Sequence, residues 1–172
     1  SIKQSQMISL AQNIAAGMEY LSSKGLVHRD LALRNILVTY GGPTGQQYVA
    51  KVADFGLARE TSSEYYKADK KSAIPVKWSA PEALEYGKFS PKSDVWSFGV
   101  VLWELFSYGK RPYVGINNED LLGKLESGFR LPPPNGCPQS IVELMNKCWS
   151  WRPTDRPSFE DISKELFNLT TQ

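Results

Sequence analysis

Residues 93–107 carry Val95, Trp96, Phe98, Val100, Val101, Leu102 and Leu105 with so few polar interruptions that a helix built on them is hydrophobic nearly all round. Such a helix is stable only when buried on most sides, so other segments have to enclose it. At 172 residues, 41% apolar and with five tryptophans, the chain is one domain long and can bury such a core. Met7, Leu10, Ala11, Ile14, Met18 and Leu21 recur at three- and four-residue spacing, which predicts an amphipathic helix over 5–24, ended by Gly25 as a left-handed cap. Weaker patterns predict helices at about 118–127, 139–149 and 158–169, the last opening with Ser158-x-x-Asp161, a near capping box. Ile36–Val38 and Tyr48–Val52 read as short strands, joined by a turn through Gly41–Gly45 that reads as a surface insertion. Residues 57–79 have no period and read as a loop rich in Ser, Lys and Tyr.

Bulk properties exclude several classes. A net charge of +2, with no long basic run, gives no electrostatic footprint for nucleic acid. Lys67, Lys70 and Lys71 read as a solvated loop or as charge steering for an acidic peptide. Cys137 and Cys148 form neither a disulfide framework nor a metal-ligand spacing, and Cys148 falls in an apolar helical pattern as a small buried hydrophobe. The longest apolar run, Phe98–Trp103, is far short of the roughly 18–20 residues a membrane span requires, and the start has no signal-peptide pattern.

Chemistry concentrates in three strings. His28-Arg29-Asp30-Leu31-Ala32-Leu33-Arg34-Asn35 fits H-R-D-L-x-x-x-N, Asp54-Phe55-Gly56 follows, and Ala80-Pro81-Glu82 comes after a further loop-sized gap. Their order and spacing resemble the protein kinases, and specifically the tyrosine kinases. The resemblance implies a mainly α fold: the kinase-like C-terminal lobe, a helical bundle with a short β-hairpin carrying the catalytic and magnesium-binding loops. Residues 1–172 are then one partial domain, with 28–35 the catalytic loop and 54–82 the activation segment. The 27 residues before His28 leave no room for a G-x-G-x-x-G loop, a V-A-I-K lysine or a helix glutamate. The N-terminal β lobe is therefore expected to be absent, and the fragment inactive in isolation.

What the resemblance implies can be carried over residue by residue. Asp30 orients the substrate hydroxyl or takes its proton, with Arg34 holding the Asp30 carboxylate. Asn35 and Asp54 supply oxygens to Mg²⁺, with Mn²⁺ as the alternative ion, and Leu37 forms the adenine floor beneath ATP. Ala32 and Arg34 stand where serine/threonine kinases usually differ, with lysine at the position of Ala32. Leu33 replaces the alanine most common in tyrosine kinases. Pro75 and Trp78, before Ala80-Pro81-Glu82, resemble the platform for a substrate tyrosine, and Ser79 stands where methionine or threonine is commoner. Tyr66 and Tyr65 match autophosphorylation sites, whose phosphate Arg29 would bind with Arg59 assisting. His28 and Phe55 resemble packing members of a regulatory spine, Glu82 and Arg156 a buried ion pair, and Asp94 an acceptor of catalytic-loop amides.

The implied activity is Mg²⁺-dependent transfer of the ATP γ-phosphate to protein tyrosine. Expected partners are protein or peptide tyrosine substrates, the missing N-terminal lobe and phosphotyrosine-reading domains, with no nucleic acid and no membrane span in this segment. The expected location is cytoplasmic, on the cytosolic face of the membrane if the parent is a receptor. Two alternatives stay open: a pseudokinase lobe acting as a scaffold, and a serine/threonine kinase, which Ala32, Arg34 and Pro75-x-x-Trp78 disfavour.

Overall fold

The structure is a computed structural model that describes residues 2–41, 45, 47–55, 58–60, 66–67 and 74–172, with backbone only at 66 and 67. It is mainly helical. The apolar stretch forms α3 (Pro91–Phe106), in which every residue from Ser93 to Glu104 is buried. Ser90 starts it: its Oγ accepts from the amides of Lys92 and Ser93, Ser93 Oγ accepts from the Ser90 amide, and Pro91 occupies the first turn.

Helix α1 (Gln4–Ser23) buries Met7, Leu10, Ala11, Ile14 and Met18 of the predicted stripe together with Ala15, while Leu21 is only partly buried. Gly25 follows at φ 71°, a left-handed conformation that costs glycine little. This helix packs on α3, on α6 (Phe159–Thr170) and on the second strand of a hairpin, while α5 (Gln139–Cys148) packs on α3 from another side. Each fully buried Leu, Ile, Phe or Met contributes about 1.5–3 kcal/mol. The contact of α5 with α3 is close because residue 99 is glycine: a Cβ there would lie 2.5 Å from Trp149 Nε1. Helix α4 (Asn118–Glu126) buries Leu121 and Leu125. Ser158 Oγ caps α6 by accepting from the Asp161 amide.

The described strands form three two-stranded antiparallel pairs: β1 (Leu26–Val27) with β4 (Arg59–Glu60), β2 (Ile36–Gly41) with β3 (Gln47–Val52), and β5 (Tyr66–Lys67) with β6 (Lys88–Phe89). The β2–β3 hairpin is longer than its apolar stretches indicate, because pairing continues through Tyr40↔Tyr48, whose rings stand 5.0 Å apart. Part of its turn lies outside the described residues. The segment 57–79, read as unbroken loop, contains β4, β5 and a 3₁₀ turn over Val76–Trp78. Two-residue strands are specified by their partners and leave no periodicity. Helix α2 (Pro81–Tyr86) also went unread: six residues are too few for a period, and only Pro81 in its first turn and Gly87 at φ 66° after it mark its ends.

A buried ion pair ties α2 to the turn before α6. Arg156 Nη1 and Nη2 donate to the two carboxylate oxygens of Glu82, each at 2.8 Å, and the arginine side chain has no exposed surface. The remaining donors reach the carbonyls of Ser150, Lys92 and Trp151, and the guanidinium lies 5.1 Å from the Trp96 ring centroid. The charge is thus fully hydrogen-bonded, the condition under which such a group is tolerated inside a protein. Glu82→Ala is expected to cost about 3–5 kcal/mol by leaving that charge unpaired. In urea unfolding, Glu82→Ala/Arg156→Leu should cost clearly less than the sum of the single variants. Strict additivity would contradict the assignment.

Candidate active site

The loop after β1 is held from beneath by a carboxylate of α3. Asp94 Oδ2 accepts from the His28 amide at 2.8 Å and Oδ1 from the Arg29 amide at 3.1 Å. Two adjacent amides can point at one carboxylate because Arg29 adopts φ 71°, an uncommon conformation for a residue with a Cβ. Burial pushes the Asp94 carboxyl up to about 6, opposed by these two hydrogen bonds and by the nearby His28 and Arg29 side chains.

His28 is buried and bridges two segments. Its Nδ1 accepts from the Asp30 amide at 3.1 Å, which assigns the ring proton to Nε2, and Nε2 lies 2.9 Å from the Ala53 carbonyl. The ring therefore links Asp30 to the residue before Asp54. Phe55, itself half exposed, stands 5.4 Å from the same ring.

Asp30 is fixed from two sides. Arg34 Nη2 donates to its Oδ1 at 2.6 Å, and Asn35 Nδ2 donates to its backbone carbonyl at 2.7 Å. A 3₁₀ turn over Leu33–Asn35 makes both contacts possible. Spending Nδ2 in this way fixes which way the Asn35 amide faces. The Asn35 carbonyl accepts from the Ala53 amide at 2.8 Å, which keeps Asn35 next to the start of the Asp54 segment. Asp54 is exposed and has φ 56°. Asn35 and Asp54 thus offer a neutral amide oxygen and a carboxylate, a set suited to a hard cation that completes its shell with phosphate oxygens and water. Among the described residues no cluster of three or more His, Cys, Asp or Glu side chains could hold a metal without such additional ligands. Leu37, on β2, is 61% exposed.

The Pro75–Trp78 segment is attached to the same loop. The Trp78 amide donates to the Pro75 carbonyl, Ser79 Oγ donates to that carbonyl, and Ser97 Oγ of α3 donates to the Trp78 carbonyl. Trp78 Nε1 donates to Glu104 Oε1 at 2.7 Å, and the Leu33 amide donates to the same oxygen at 3.0 Å. The Arg34 guanidinium lies 4.6 Å from the Trp78 ring centroid, so one arginine touches both the Asp30 carboxylate and the platform. Burial pushes the Glu104 carboxyl up, against these hydrogen bonds and Arg34. Sequence reading missed Glu104. Its signal was an acid inside an otherwise apolar helix, where only a hydrogen-bonded role is tolerated.

The residues expected to regulate the site are partly placed. Tyr65, together with Gly56, lies outside the described residues. Tyr66 pairs with Phe89 across β5–β6, and the Arg29 guanidinium lies 4.6 Å from the Phe89 ring centroid. Arg59 is exposed on β4, and its Nη1 donates to the Ala58 carbonyl at 2.7 Å.

The Asp94 anchor has a pH signature. Between the ordinary value of 3.8 and about 6 the folded chain holds a proton on Asp94 that the unfolded chain has released. Wild-type stability relative to Asp94→Asn should therefore fall as pH rises through that window and level off above about 7. Urea midpoints of the two proteins measured across the range test this. A difference that stays flat, or grows with pH, contradicts it.

Residues 1–166 match the family model described as protein tyrosine and serine/threonine kinase. The chain is 50% identical over 169 residues to the megakaryocyte-associated tyrosine-protein kinase of Mus musculus, covering 96% of this chain and 31% of that protein. It is 47% identical over 163 residues to the tyrosine-protein kinase abl-1 of Caenorhabditis elegans, covering 95% and 13%. It is 44% identical over 165 residues to the tyrosine-protein kinase Fer of Mus musculus, covering 96% and 19%. The chain thus spans less than a third of the length of each of these relatives. No helix among the described residues is long and apolar enough to cross a membrane. With a matched family model spanning nearly all of its length, the chain belongs to the protein tyrosine and serine/threonine kinase family, and the relatives named above, at about half identity, are tyrosine kinases.

Proposed function

We propose that these residues are the C-terminal lobe of a tyrosine kinase domain, with 28–35 as its catalytic loop and 54–82 as its activation segment, acting in transfer of the γ-phosphoryl group of ATP to tyrosine in protein substrates. The observation that carries this reading is the arrangement around Asp30: a carboxylate held by Arg34 through one oxygen, anchored through its own backbone by Asn35 and His28, and joined through Arg34 to the Trp78 platform.

Asp30 accepts the proton of the tyrosine hydroxyl as its oxygen bonds to the γ-phosphorus and the bond to the ADP oxygen breaks. Arg34 keeps the carboxylate oriented. Pro75 and Trp78 set the phenol at the distance from Asp30 that a tyrosine side chain reaches. Asn35 and Asp54 would hold Mg²⁺ or Mn²⁺, which supplies charge neutralisation at the phosphates. Leu37 would lie under the adenine, and Phe55 with His28 keeps the Asp54 segment against the catalytic loop. Phosphorylation of Tyr66 or Tyr65 would place an anion within reach of Arg29 and Arg59, ordering the activation segment. Phosphotyrosine-reading domains and a cytoplasmic location follow from the same reading.

Leu37, two residues after Asn35, and Phe55, next to Asp54, are exposed apolar side chains that an upper lobe would cover while enclosing ATP. The 172 residues contain neither a G-x-G-x-x-G loop nor a V-A-I-K lysine to position phosphates, so on their own they should transfer phosphate undetectably. A transfer assay with radiolabelled ATP and peptides offering Tyr, Ser or Thr, run on protein carrying these residues together with an upper lobe, tests the reading. Labelling of tyrosine alone is expected, reduced about 10²–10⁴-fold in Asp30→Asn. Serine or threonine labelling, or an undiminished variant, would refute it.

A further inference from the structure

The β2–β3 hairpin carries a long connection that no part of the site uses, and Tyr40 stands beside it. Of the eight tyrosines in the chain, Tyr65 and Tyr66 belong to the activation segment proposed above, Tyr113 is buried, and Tyr48 packs partly buried against the core. Tyr20, Tyr40, Tyr86 and Tyr108 are exposed. Tyr20 is locked into α1: the Lys24 amide donates to its carbonyl, and Lys24 Nζ lies 5.6 Å from its ring centroid. Tyr86 closes α2, and Glu85 above all, with Glu126, pushes its hydroxyl pKa up, so a further negative group there would be repelled. Tyr108 has φ 59° at the end of α3, where its amide donates to the Leu105 carbonyl and the Gly109 amide to the Glu104 carbonyl.

Of these four, Tyr40 is the one in extended backbone. It is 64% exposed and lies roughly 10 Å along β2 from Leu37, at about 3.3 Å per residue. Among the described residues β2 pairs only with β3, and the last pair, Gly41↔Gln47, is one residue beyond Tyr40. A strand end of this kind opens locally at little cost, whereas a helical tyrosine has to break a turn. The surroundings of Tyr40 are electrically neutral. Lys51 is the one charged residue from 36 to 52, and it pairs with Leu37, on the face opposite to Tyr40 and Tyr48. A cavity next to Tyr48 is lined by uncharged Ser5, Gln6, Ile8, Ser9 and Gln47 among others. A phosphate on Tyr40 therefore meets neither the carboxylates that oppose one at Tyr86 nor an arginine of the hairpin that would bind it within the chain.

We propose that Tyr40 is a tyrosine-phosphorylation site whose phosphate stays in solvent, open to a phosphotyrosine-reading domain of another protein. In the transfer, the Tyr40 oxygen bonds to the γ-phosphorus of ATP as the bond from that phosphorus to the bridging oxygen breaks. ADP leaves, and the phenol proton passes to the catalytic carboxylate of the acting kinase. That kinase is a second copy of this protein or another tyrosine kinase, so the assignment does not need this chain's own activity. Readers of such sites combine arginines for the phosphate with pairing to extended backbone, and β2 offers both a phosphate and an unpaired strand edge.

The test uses protein carrying these residues together with an upper lobe, silenced by Asp30→Asn and incubated with an added active tyrosine kinase, ATP and Mg²⁺. Phosphate positions are read by mass spectrometry. Tyr40 should be labelled at least about tenfold faster than Tyr20, Tyr86 or Tyr108, and Tyr40→Phe should abolish that label without changing their rates. A tyrosine phosphatase should remove the phosphate from the folded protein as fast as from the corresponding peptide. Labelling of Tyr40 only after denaturation in urea, a rate no greater than at the helical tyrosines, or a phosphate protected from the phosphatase overturns the proposal. Wild-type protein without added kinase tests the other source. Transfer to peptides by the wild type, with Tyr40 unlabelled in both arms, keeps the kinase reading and overturns the site. Labelling of Tyr40 by the added kinase, with no transfer by the wild type to any acceptor, does the reverse.

Discussion

One carboxylate inside α3 organises everything above it. Asp94 is buried in the helix that the other helices enclose, and its two oxygens receive consecutive amides from the start of the His28–Asn35 loop. Burying that charge is unfavourable by itself, and the two amides are what make it tolerable. The dependence is mutual: without the carboxylate the two amides would be buried without partners, and Arg29 would lose the reason for its left-handed backbone. The loop is thereby fastened to a helix that is buried from Ser93 to Glu104.

From that anchor the site grows outward through short contacts. His28 passes the fixed position to the Asp30 amide and to Ala53, Asn35 ties the Asp30 carbonyl to the segment carrying Asp54, and Arg34 joins the Asp30 carboxylate to the face of Trp78. A second α3 acid, Glu104, holds Trp78 and Leu33 with a single oxygen. Helix α3 thus supplies one carboxylate near each end of the His28–Asn35 loop. An apolar core helix and a polar site are parts of the same construction, since pre-organised groups need rotamers fixed by packing.

Sequence reading reached the elements whose burial is uniform or periodic. Helix α3 announced itself by apolarity all round, and α1 by a stripe that is buried except at Leu21, where the helix nears its end. Elements defined by partners rather than by their own pattern were not legible: α2 is a single capped turn and a half, and β4, β5 and β6 are two-residue pairings. In the site, the string from His28 to Asn35 made Asp30, Arg34 and Asn35 candidates because their order is informative. Glu104 stayed hidden because a lone acid in a helix resembles a surface residue until its partners Trp78 and Leu33, distant in sequence, are brought to it.

The most direct test of this account is amide hydrogen exchange at His28 and Arg29 in the wild type and in Asp94→Asn near neutral pH. If Asp94 anchors the His28–Asn35 loop, both amides exchange slowly in the wild type. In the variant they should exchange at least about tenfold faster, the loss of a hydrogen bond to a charged acceptor, while the amides in the middle of α3 are unchanged. Equal exchange of His28 and Arg29 in the two proteins would show that the loop is held by something other than Asp94.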